Sequence, residues 1–313
     1  MDLSLFFAGT AGSVPTARRG LPALLVRRGG DRLLFDCGEG TQRQLVRSTG
    51  LPELDAVFVT HFHADHWLGL PGMLKTFDLR GRERPLTVHG PPGLADMLGA
   101  LRRVYGRLSY GLELVELEPG ESVRREGYSV AAFAVRHRMP AYGYALWEEQ
   151  RPGRFDAGLA ERLGVAPGPD FGRLQRGETV GEVTPEQVIG PARPGRKVVI
   201  SGDTAPCEAL AVAAHEADVL VHEATFADEE IERAEKTGHT TAGQAARIAL
   251  GAGVRLLALT HLSTRYAGRE LRDEARAVFA QTVLPRDFDS IEVPLAERGK
   301  PALVRWEGEA APA

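Results

Sequence analysis

Residues 57–72, VFVTHFHADHWLGLPG, set His61, His63, Asp65 and His66 within six positions, directly after the apolar run 54–60. That run is β-branched and of strand length, so it reads as a buried strand. Buried polar groups without partners cost a few kcal/mol each, so four together call for a chemical reason. In an extended segment His61 and His63 point to the same side and reach one ion. Asp65 and His66 lie past the strand end, where the chain turns, and face a second ion nearby. Imidazole nitrogen with carboxylate oxygen suits zinc, and also manganese, cobalt or iron. A polar loop of unrelated histidines, the plain alternative, leaves the cost unexplained.

Three further apolar runs carry residues of the same type. YSVAAFAVRH (128–137) ends on His137, RKVVISGDT (196–204) carries Asp203, and VRLLALTHLS (254–263) carries His261. Each alone has an ordinary reading, as a satisfied histidine or a turn-capping aspartate. With the cluster they make five histidines and two aspartates. That set serves two four- or five-coordinate ions if one carboxylate bridges and water fills the remainder.

The surrounding chain is that of a globular protein. Of 313 residues 43% are hydrophobic and 26% charged, with a formal net charge of −4. That balance neither supports nor excludes a nucleic-acid partner. The two cysteines, Cys37 and Cys207, form no disulfide framework and fit a reducing compartment. The start of the chain reads as a strand, not a signal peptide, and no run approaches the ~18 apolar residues of a membrane span. A cytoplasmic location is therefore expected. Strands also appear at 3–11, 21–29, 32–40, 86–90 and 218–226, with helices at 41–50, 69–79, 91–106 and 240–253. Alternating strands and helices predict a layered α/β architecture with the site along one edge.

Residues 148–197 stand apart, rich in Gly and Pro, with eight basic and eight acidic residues. They read as an exposed insertion or flexible arm within a single domain spanning 1–313. The last residues, GEAAPA, read as a frayed tail.

THFHADH resembles the signature of the metallo-β-lactamase superfamily, and within it the chain resembles the ribonuclease Z family. The likeness runs from FFAGTAGSVPT to LTHLSTRY. VHEATF resembles the family's HEAT motif, and GHTTAGQAA stands in place of its HST motif, with His239 as the histidine and Thr240 for the serine. GVAPGPDFGRLQRGETV resembles the Gly-Pro arm of the short-form enzymes, and RHRMPAYGYAL the segment around a mid-chain ligand. One loop departs: where the family reads PxKxRN this chain has PTARRG, with Ala17 for the lysine, Gly20 for the asparagine and Arg19 retained.

The resemblance implies a four-layer αβ/βα sandwich with an inserted tRNA-binding arm. It implies one zinc on His61, His63 and His137, a second on Asp65, His66 and His261, and Asp203 bridging. Asp65 would also be the catalytic base. The implied activity is endonucleolytic removal of the 3′ trailer from pre-tRNA, leaving a 3′-hydroxyl, by a homodimer. A hydroxide shared by the metals attacks phosphorus in line, and the leaving oxygen needs a proton. His239 lies outside the seven ligands, and Glu223 orients it, so the pair serves as general acid; the alternative is that both only support the ligands. His222 reads as structural or as a support behind the ligands, not as catalytic, and His89 and His215 read as structural or exposed. Two competitors remain: a small-substrate phosphodiesterase or arylsulfatase-like hydrolase of the same fold, and a noncatalytic RNA-binding protein. The arm and the HEAT-like motif oppose the first; retention of the full ligand set opposes the second.

Overall fold

The computed structural model describes residues 1–308. Most of the tail read as frayed, residues 309–313, lies outside them. The chain divides into two compact units. One comprises Met1–Arg124, Ser129–Leu146 and the described residues from Arg196 on; the other comprises Arg125–Tyr128 and Trp147–Gly195.

The larger unit holds an eight-stranded sheet in the order Ala302–Val304, Ser290–Glu292, Leu3–Gly9, Ala23–Arg28, Asp31–Phe35, Ala56–Phe58, Leu86–Gly90, Leu112–Glu116. Pairing is antiparallel as far as Asp31–Phe35 and parallel beyond it. A seven-stranded sheet runs Thr282–Val283, Leu257–Thr260, Val219–Glu223, Lys197–Ile200, Tyr142–Glu148, Tyr128–Ala134, Ser122–Arg125, its first four strands parallel. Parallel strands are covered on both faces, so AVF and VLVHE are buried throughout.

Leu45, Leu70, Met73, Leu74, Phe77 and Leu94 of three helices pack on Phe6 and Val57 of the first sheet and on Val59 just past its strand. Ala245, Ala246 and Ala249 of the helix Ala242–Gly251, with Leu271 and Ala275 of Gly268–Val278, cover Val199, Leu220 and Leu257 of the second. Between the sheets the buried Tyr144 meets Phe35 and Phe58 at ring separations of 5.6 and 5.3 Å, and its hydroxyl donates to Val59 O at 2.7 Å. The layers are helix, sheet, sheet, helix: the expected αβ/βα sandwich.

The expected helix 91–106 is two short helices, Leu94–Ala100 and Arg102–Tyr105. Gly93 is left-handed and starts the first only after the two prolines, and Gly99 weakens its end. The strands expected to reach His137, Asp203 and His261 stop at Ala134, Ile200 and Thr260. Those three residues stand in the loops that follow, where side chains are free to converge.

The smaller unit is folded around its own core of Ala160, Val165, Leu174, Val183 and Val188, with Phe155 against Phe171 at 4.9 Å. Asp156 caps its first helix by accepting from Leu159 N at 2.8 Å, and Thr184 with Gln187 forms a capping box on its last. Capping and a handful of apolar side chains thus order a segment whose composition reads as loop. Among the described residues no helix is long and apolar enough to cross a membrane.

Candidate metal centre

The strand Ala56–Phe58 delivers Thr60 and His61, both fully buried, to the end of the first sheet. Trp67 Nε1 donates to Phe62 O at 3.1 Å and folds the HFHADH loop onto the short helix Ala64–Trp67. His66 therefore points inward on that helix while His61 and His63 approach from the loop before it.

The seven predicted side chains converge. His63 Nδ1 lies 3.0 Å from His61 Nε2 and 3.2 Å from His137 Nε2, and Asp203 Oδ2 is 3.8 Å from His61 Nε2. His66 Nε2 and His261 Nε2 lie 3.3 and 3.2 Å from the same Asp203 oxygen, and 3.6 and 3.3 Å from Asp65 Oδ2. Tetrahedral ligands at zinc–nitrogen distances of ~2.0–2.1 Å stand roughly 3.3 Å apart, so most of these separations match the edges of a coordination shell. The donor atoms of His61, His63, His137 and Asp203 form one group, and those of Asp65, His66 and His261 another. Asp203 faces both.

The far side of each ring fixes which nitrogen faces the cluster. His137 Nδ1 donates to Gly238 O at 2.7 Å, and a carbonyl only accepts. His66 Nδ1 donates to Asp36 Oδ2 at 2.7 Å. Thr60 Oγ1 gives its proton to Asp36 Oδ2 at 2.9 Å and so accepts from His61 Nδ1 at 3.0 Å. Thr225 Oγ1 gives its proton to Glu223 Oε2 at 2.5 Å and accepts from His261 Nδ1 at 2.9 Å. In all four rings Nδ1 is engaged away from the cluster and Nε2 faces it, the orientation a metal ligand needs.

Four carboxylates, Asp36, Asp65, Asp203 and Glu223, crowd this volume, and among the described residues their ion pairs are with histidines alone. Burial opposes the charge on Asp203, yet His261 and then His66 hold its carboxyl well below the usual range. Burial also opposes Asp65, which the hydrogen bond with His261 and the charge of His66 bring down. Burial pushes His61, His63 and His137 toward the neutral form. Burial opposes charge on His66 too, but Asp203 and Asp36 draw its ring toward the charged form, and among the described residues its Nε2 has no hydrogen-bond partner. Buried negative charge, three imidazoles that burial holds neutral and an orphaned ring nitrogen fit divalent cations.

His239 sits beside the cluster, its ring 5.1 Å from that of His137 and 5.5 Å from that of His261. Its Nδ1 is 3.9 Å from Asp203 but donates to Glu223 Oε1 at 2.9 Å. That engagement removes Nδ1 from the ligand set. Burial disfavours the charged ring, but Glu223 outweighs it and raises the His239 pKa to about 9. Glu223 is itself held by Thr204 N at 2.9 Å and Thr225 N at 3.2 Å.

The model of the metallo-β-lactamase superfamily matches residues 19–224. A ribonuclease Z of Myxococcus xanthus is 49% identical over 305 residues, 94% of this chain and 99% of the relative. One of Methanosarcina acetivorans is 45% identical over 300 residues, covering 93% and 98%. The chain belongs to the ribonuclease Z family. The crystal structure of human tRNase Z, short form, superposes with a TM-score of 0.69 at 28% identity, covering 93% of this chain and 99% of that one. Membership makes the chain an enzyme and implies divalent-metal binding, for which the His/Asp cluster is the candidate site.

The departing loop of this ribonuclease Z relative has a structural account. Arg19 donates to Thr10 Oγ1 at 2.5 Å and Pro285 O at 3.1 Å, and Gly20 N donates to Asp287 Oδ2 at 2.6 Å. The retained arginine thus anchors the loop from below, while Ala17 is exposed. Thr240 uses its hydroxyl on Thr204 O at 2.5 Å.

Sequence reasoning missed Asp36, Thr60 and Thr225, which orient the rings. A second strand ending on aspartate, RLLFD, was the available signal for the first. His222 is buried and donates to Glu223 O at 2.7 Å; alternation along its strand turns it away from Glu223's face. His89 stacks on Phe58 at 4.7 Å, and His215 is exposed. Cys37 is buried, and its backbone ties down the helix through His66 O and Gly69 N.

Proposed function

We propose that this chain is a two-zinc endoribonuclease that removes the 3′ trailer from pre-tRNA and leaves a 3′-hydroxyl on the tRNA. The reading rests on one observation above all: the Glu223–His239 pair, 2.9 Å apart, adjoins a seven-residue His/Asp cluster in a ribonuclease Z-family chain. Two Zn2+ ions on that cluster would supply Lewis-acid polarisation of the phosphoryl group and a water of near-neutral pKa.

The chain's own residues supply orientation and protons. Asp65 is steadied through Oδ2 by Ser13 N at 2.8 Å, which leaves Oδ1 to accept a proton from the attacking water. His239, held through Nδ1, presents Nε2 to the leaving ribose O3′ and gives it a proton as the P–O3′ bond breaks. The phosphate stays on the trailer and the hydroxyl on the tRNA. Buried, triply held Glu223 keeps His239 charged until that transfer. The arm, residues 148–197, most of which lies in the smaller unit, would grip the tRNA body by shape and phosphates, in a cytoplasmic homodimer.

The test is to incubate purified protein with pre-tRNAs with and without an encoded CCA and to map the new 3′ ends, alongside metal analysis. Cleavage near the mature 3′ end with two zinc ions per chain is expected. Hydrolysis of a small aryl phosphodiester without any cut in pre-tRNA would sink the reading.

A further inference from the structure

A second cleft, of about 560 Å³, opens beside the metal cluster. Its walls come straight from that site. The loop whose Ser13 N donates to Asp65 runs on to Arg18, and Gly38, which lies so close that a Cβ would stand 2.3 Å from Asp65 O, is followed by the lining residues Glu39 and Gly40. The cleft is strongly basic. Arg18, Arg43 and Arg286 are exposed along it and form no ion pair among the described residues. Arg47 lies 5.7 Å over the Phe288 ring, and Phe288 meets Trp306 edge-on at 4.9 Å. The acids here are Glu39 and Asp287, and Asp287 is turned inward onto Gly20, Thr10 and Gln44.

Exposed guanidinium groups beside a half-exposed indole make a sequence-tolerant platform for single-stranded nucleic acid: the cations track phosphates and the ring stacks a base. The trailer is the single-stranded part of a pre-tRNA and varies in sequence, whereas the tRNA side of the cut is dominated by duplex. We propose that this cleft holds the single-stranded RNA segment on the 3′ side of the cut, a proposal that rests on the pre-tRNA reading above.

The experiment compares kcat/KM for pre-tRNAs carrying one-nucleotide and ten-nucleotide trailers, in wild type, Arg43→Ala/Arg286→Ala and Trp306→Ala. Melting temperature and metal content are measured on each. The long-to-short ratio is expected to fall about tenfold in both variants, and the salt dependence with the long trailer to weaken in the arginine variant. An unchanged ratio in either folded variant, including an equal loss on both substrates, would overturn the proposal. If wild type cuts neither pre-tRNA, it is the pre-tRNA reading that fails; the two failures are distinct.

Discussion

Asp36 and His66 are joined by a 2.7 Å hydrogen bond between two buried side chains, at a point where the Asp36 backbone takes φ 57°. The same carboxylate accepts from Thr60 N and Thr60 Oγ1, and Thr60 reaches His61. One side chain therefore orients a ligand from each group. Asp36→Ala should weaken metal affinity about 10–100-fold, measured by competition with a chelator. Wild-type affinity in a folded variant would show that Asp36 orients nothing.

His239→Ala should cut turnover by about 10²–10⁴-fold while leaving bound metal intact, because its Nδ1 is committed to Glu223. Parallel loss of activity and metal would make it a ligand. A general acid works when protonated, so activity falls as pH rises through its pKa. Glu223 raises that pKa, so Glu223→Gln should move the alkaline limb of the pH–rate profile to lower pH. The profile is the measurement, and an unmoved limb counts against the pair.

Asp287 carries a pH signature of its own. Burial raises its pKa from 3.8 to about 6, against the pull of Gly20 N and Thr10. A carboxyl raised on folding binds its proton more tightly in the folded chain. Its contribution is fully present below about pH 4, the unfolded pKa, and is lost as pH rises through the folded value. The difference in stability between wild type and Asp287→Asn should therefore fall by on the order of 2–3 kcal/mol between about pH 4 and 7 and flatten above. Denaturant titrations of chelated protein at each pH check this; a flat difference would mean Asp287 does not titrate there.

Gly12 lies against His261. A Cβ there would sit 2.5 Å from His261 Nδ1 and 2.8 Å from His261 O. Gly12→Ala should displace His261 and release metal from its group, while circular dichroism stays native-like. Retention of all metal would contradict the geometry.

The HFHADH cluster was legible because four side chains of metal-ligand type fall within six positions after an apolar run. His137, Asp203 and His261 were legible as polar ends of apolar runs, although all three stand in loops beyond their strands. Asp36, Thr60 and Thr225 were not, because short polar residues at strand ends are also ordinary turn formers. The strands Leu112–Glu116 and Ser122–Arg125 escaped for a different reason. They are half-exposed and charged, near sheet edges, where burial imposes no apolar pattern. The smaller unit read as loop because its order comes from caps and five buried side chains, not from periodicity.

His261 adopts φ 56°, a left-handed conformation that costs a non-glycine residue energy, and it is pinned through Leu262 to Thr10 and Gly12 at the far end of the chain. That has a consequence for the order of synthesis. A ribosome releases His61 to His66 early, but the residue that completes their metal group emerges 195 positions after His66 and must then dock against the first strand's end. On the proposed two-metal reading, capture at that group is a late event that reports a finished fold, and a chain cut short before His261 would hold the HFHADH motif without its partner.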